Sequence, residues 1–152
     1  MTLAALALLG GCGGGDTETL TKAEFVARGD EICKQAHEQF SEAQENPPNT
    51  PGGAAELQRR LIEISENELS AIDDLDAPSE VRPALDRYLR AREQGIALLR
   101  RGLEAARRED ERAYAAAQAR LAAGQVHRLE LARAVGFTQC SVVASPAPPG
   151  GG

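Results

Sequence analysis

The chain has 152 residues and a formal net charge of −6, enough for one domain with its own core. Hydrophobic residues make up 42% of it, yet aromatics only 3% with no Trp, so the apolar mass is chiefly Ala and Leu, a helix composition. The acidic balance argues against a nucleic-acid face, whose phosphates need basic surface, and leaves no polybasic patch for anionic lipid head groups.

The N-terminus opens on an apolar run from Leu3 to Leu9, far short of the ~18–20 residues that span a bilayer but of signal-peptide length. No Lys or Arg precedes it, so a basic segment is expected upstream and residues 1–11 read as a truncated signal peptide. The run meets Leu9-Gly-Gly-Cys12, which looks like a bacterial lipobox: small residues admit a peptidase, and the Cys12 thiol becomes a thioether to diacylglycerol. On this reading the chain is lipid-anchored through Cys12 on the extracytoplasmic face of the cell membrane. Residues 12–20 then form a Gly-rich flexible tether.

Thr21-Lys-Ala-Glu24 has the capping-box pattern, and Phe25, Gly29, Ile32, Ala36, Phe40 and Ala43 recur at spacings of three and four. This predicts a first helix from Thr21 to about Glu45, ended by NPPNTPGG (46–53). A second helix is expected from about Ala54 to Leu75, with Leu57, Leu61, Ile64, Leu69, Ile72 and Leu75 inward and Glu63, Glu66 and Glu68 outward. The third is expected to be capped by Ser79, with Pro83 in its first turn. Its stripe of Leu85, Leu89, Arg92, Ile96, Leu99, Leu103 and Ala106 has one polar member and persists to about Arg108. Asp110 caps a fourth helix with Tyr114, Ala117, Leu121, Gly124, Arg128, Leu131 and Val135, stopped by Gly136. The fold expectation is an all-α, up-down-up-down four-helix bundle over 21–140, with a disordered Pro/Gly-rich tail at 141–152.

Three cysteines leave one over after pairing, and a lipidated Cys12 supplies the odd one. A turn at Gly136 then brings Cys140 back beside Cys33 for a single disulfide, which the oxidising compartment permits. The alternative is zinc held by Cys33, His37, His127 and Cys140, although the spacing between the two halves fits no common zinc motif. His37-Glu-Gln-Phe-Ser41 begins like a zinc-protease motif but lacks its second histidine, and no Glu-x-x-His of a di-iron bundle occurs. No nucleophile elbow, phosphate loop or dinucleotide fingerprint is present. Asp73, Asp74 and Asp76 read as a solvated helix end, and Arg100, Arg101, Arg107 and Arg108 as a wet face paired with Glu104 and Glu109.

The stretches Leu20 to Phe25 (LTKAEF), Asp30 to Cys33 (DEIC), Leu75 to Pro78 (LDAP) and Ala134 to Cys140 (AVGFTQC) resemble a group of small secreted actinobacterial lipoproteins of no assigned activity. The resemblance covers roughly 20–140 and implies a paired Cys33 and Cys140. The expected function is a non-enzymatic helical binding or interaction module of the cell envelope that needs no cofactor. Its partners are the membrane, through Cys12, and an envelope protein or ligand that the sequence does not specify. A small-ligand, metal or haem carrier bundle is the alternative.

Overall fold

The computed structural model describes residues 19–143, so Cys12, the leader, most of the tether and the tail from 144 lie outside the described residues. Five α-helices follow in order: α1 (Lys22–Gln44), α2 (Pro51–Asp73), α3 (Arg82–Arg107), α4 (Glu111–Ala123) and α5 (Gln125–Val135), then a 3₁₀ turn, Gln139–Ser141. The described chain is thus all-α, and its ordered part runs past Cys140 to include a buried Ser141.

α1 begins where its capping box predicts. The Thr21 hydroxyl accepts from Glu24 N at 3.3 Å, and Glu24 Oε2 accepts from Thr21 N at 3.0 Å. α2 starts at Pro51, earlier than expected and inside the proline-rich stretch. Proline at a first helical position has no donor to lose, and Thr50 caps it by accepting from Gly53 N at 3.1 Å. Ser79 is not the cap of α3: it lies in a turn closed by Val81 N donating to Pro78 O, and α3 begins at Arg82 with no side-chain cap.

The single fourth helix expected from the sequence is two helices. They meet at Gly124, where glycine costs a helix interior about 1 kcal/mol relative to Ala. Asp110 does cap α4, accepting from Ala113 N at 2.9 Å.

α2 packs against both α1 and α3, and α3 carries α4 and α5 on another side. α1 is joined to the end of the chain chiefly through the 3₁₀ turn. One core cluster lies where α1, the α2–α3 connection, α5 and the terminal turn converge, and includes Phe25, Ile72, Val81, Leu85, Tyr88, Val135 and Phe137. A second, of Ile62, Ile96 and Leu99, fills the space between α2 and α3. Phe25 and Phe137 are shut off from solvent and stack with centroids 5.7 Å apart, while Tyr88 meets Phe137 edge-on. Each fully buried large side chain of this kind contributes about 1.5–3 kcal/mol.

The last turn is fastened to α1 by several independent contacts. Gly136 adopts φ +109°, a left-handed conformation that closes α5 with Phe137 N donating to Ala132 O and Gly136 N to Arg133 O. The chain reverses there and drops Phe137 onto Gly29 of α1, where a Cβ would lie 2.3 Å from Phe137 Cε1. The Asp30 carboxylate accepts from Thr138 N (2.9 Å), Thr138 Oγ1 (2.6 Å) and Gln139 N (2.8 Å), capping the 3₁₀ turn from across the bundle. Cys33 and Cys140 form a disulfide with Cα atoms 5.1 Å apart. Its closed loop of over 100 residues corresponds to about 4–5 kcal/mol of lost chain entropy in the unfolded state.

Two substitutions weigh these contacts. Asp30→Ala removes a charged acceptor of three hydrogen bonds and lowers stability by about 2–3 kcal/mol, of which Asp30→Asn recovers part. Gly29→Ala forces the Phe137 ring aside and costs roughly 1–3 kcal/mol. Both show as a lower urea midpoint at unchanged slope; an unchanged midpoint contradicts the assignment.

Candidate functional site

The buried face of α2 is not the leucine stripe read from the sequence. Ile64 and Ile72 face inward as expected, joined by Gln58, Ile62, Ser65 and Glu68, while Leu57, Leu61 and Leu69 are only half-buried. Glu68, expected on the wet side, is therefore a correction: its side chain is 4% exposed. Its burial is compensated by Arg92, the one polar member of the α3 stripe. Arg92 Nη2 donates to Glu68 Oε2 from a side chain 21% exposed. The Tyr88 hydroxyl hydrogen-bonds the same carboxylate, and Oε1 lies 3.5 Å from Cys33 Sγ, a non-bonded contact because the oxidised sulfur has no proton.

This cluster floors a groove between the C-terminal half of α1 and the break between α4 and α5. Two adjoining hollows of about 300 and 260 Å³ share Phe40, Gln44, Arg92, Gln125 and Arg128. The smaller reaches His37, Glu68 and Tyr88, and the larger reaches Leu61, Ser65 and Leu121. The geometry follows from local sequence. Gly124 breaks the fourth helix, and Arg128 Nη2 donates 2.8 Å to Leu121 O across the break, holding the guanidinium toward the groove.

Burial raises the Glu68 carboxyl above its ordinary value, against the opposing pull of Arg92 and the Tyr88 hydrogen bond. Burial also pushes the Tyr88 phenol up, which keeps it a proton donor. His37 is lowered, first by burial and then by Arg92, so it is neutral at pH 7. Burial and then Arg92 also lower Arg128, whose guanidinium remains a cation. The groove therefore holds two guanidinium groups against one carboxylate, an excess of one positive charge in a chain that is acidic as a whole.

Of the residues singled out in the sequence, Cys33 and Cys140 come together as a disulfide. That bond consumes the thiolates of the alternative set Cys33, His37, His127 and Cys140. His127 stands exposed on α5, and no group of three metal-ligating side chains occurs among the described residues. Within the arginine patch Arg107 pairs with Glu104 as expected, whereas Arg100 reaches across to Glu66 of α2 at 2.7 Å. Glu68, Tyr88 and Arg128 were missed as a site. The available signal was Arg92 inside an apolar stripe, since a buried arginine requires a carboxylate opposite.

Removing one partner of that pair is worse than removing both. Glu68→Leu strands Arg92 and costs roughly 2–4 kcal/mol, whereas Glu68→Leu with Arg92→Met recovers most of the loss. Equal or additive losses in chemical denaturation contradict this.

A second expectation concerns pH. His37 has a folded pKa below its ordinary 6.5, so the unfolded chain takes up the proton first and stability falls as pH drops below about 6.5. The wild-type minus His37→Gln difference carries that slope; a flat difference contradicts it. No protein-family model matches the chain, and no curated protein or solved structure shows significant similarity to it.

Proposed function

We propose that the chain is a lipid-anchored, extracytoplasmic binding module of the cell envelope, tethered through Cys12, without enzymatic activity and without a cofactor. The observation that carries this reading is the Cys33–Cys140 disulfide. It accounts for two of three cysteines and fits an oxidising compartment, leaving Cys12, in its lipobox setting, for the lipid. The arms of the bundle run up, down, up and down in this reading, in keeping with the successive packing of α1 on α2, α2 on α3 and α3 on α4. No helix among the described residues is long and apolar enough to cross a membrane.

The groove between α1 and the α4–α5 break favours a small ligand over a flat protein partner, because polar groups converge there beside apolar side chains such as Phe40, Leu121 and Leu129. The Glu68 carboxylate at its floor is engaged by Arg92 and Tyr88, which suits holding a guest better than abstracting a proton.

Intact mass spectrometry of the protein extracted from its native membrane, without reduction, tests the reading. The expected species starts at Cys12, carries a diacylglyceryl thioether and lacks the two thiol hydrogens of Cys33 and Cys140. A mature N-terminus upstream of Cys12 with no lipid overturns the anchored assignment.

A further inference from the structure

We propose that the groove binds a single carboxylate carried on a small apolar body, with Arg128 as the group that pairs with it; this rests on the binding-module reading and names its ligand class. The first support is charge. Arg92 is committed to Glu68, whereas Arg128 has no carboxylate partner among the described residues and spends one donor, Nη2, on Leu121 O. A guanidinium offers five donors in a planar fork, and that fork matches a carboxylate. One bound monoanion neutralises the excess charge; a dianion would leave a negative charge uncompensated beside Glu68.

The second support is preorganisation. The bond to Leu121 O fixes the arginine head before any ligand arrives, which reduces the entropy lost on binding. Space for that head depends on Gly124, where a Cβ would lie 2.7 Å from Arg128 Nη1, and its stem passes the bare backbone of Gly95, where a Cβ would lie 3.7 Å from Arg128 Cδ. Shape is the third support. Phe40, Leu121 and Leu129 line the hollows, and Val142, 49% exposed, stands at the rim. Hollows near 300 Å³ lie at the lower end of small-molecule sites, about 300–1,000 Å³, and so fit a short chain.

The test titrates the oxidised, full-length chain with octanoate, octanol and inorganic phosphate, reading groove resonances by NMR and affinity by calorimetry. Octanoate is expected to bind saturably at Phe40, Gln125 and Arg128, about tenfold or more tighter than octanol or phosphate. Arg128→Gln should weaken octanoate by about tenfold or more while the chain still unfolds cooperatively. Gly124→Ala, which keeps the charge and improves helix propensity, should weaken it too by displacing Nη1. Octanol binding as tightly as octanoate overturns the carboxylate assignment and leaves the module reading standing. Phosphate binding as tightly overturns the apolar body. No groove response to any of the three overturns the groove as the module's site, which the lipid-anchor measurement alone would not reveal.

Discussion

The fold depends on fastening the last turn of the chain to the first helix. α1 meets the rest of the bundle along α2, and the chain's end reaches it chiefly through the 3₁₀ turn at Gln139–Ser141. Without that fastening, α5 and α1 would share little surface. The fastening is redundant in kind: a covalent bond at Cys33, a charged cap at Asp30 and an aromatic ring seated on Gly29, all within two turns of α1. Gly136 makes them reachable together, because only a left-handed residue at that point turns the chain back across the helix.

The same fastening shapes the groove. It holds the N-terminal part of α1 against the chain's end, while farther along, from His37 to Gln44, α1 borders the hollows. The floor of that opening is an ion pair where an apolar bundle would place leucine. A buried pair contributes little net stability, since desolvation offsets most of the attraction. Its value lies in what it leaves over: Arg92 neutralised, Arg128 not, and His37 held neutral by burial and by Arg92. The groove thus keeps a positive character within an acidic protein.

Much of the helical framework was legible in the sequence because it is written in spacing and caps. The Thr21 box, the α3 stripe, the Asp110 cap and the Gly136 stop each rest on a local rule, and each is realised. The disulfide was legible from counting three cysteines and reading Cys12 as the one set apart by its lipobox-like setting. The face of α2 was not, because its buried positions include Gln58, Ser65 and Glu68, which hydrophobic periodicity scores as outward. The break at Gly124 was hidden because that residue falls in register with the stripe on both sides. The site itself needed the third dimension: Glu68, Arg92 and Arg128 lie on three helices, and nothing local links them.

Amide hydrogen exchange on the oxidised and the reduced protein tests the central claim most directly. If the fastening of the last turn to α1 organises the fold, reduction lowers protection in the N-terminal half of α1, in α5 and around the 3₁₀ turn, while α2 and α3 keep theirs. Protection that is unchanged on reduction, or lost evenly through all five helices, contradicts it.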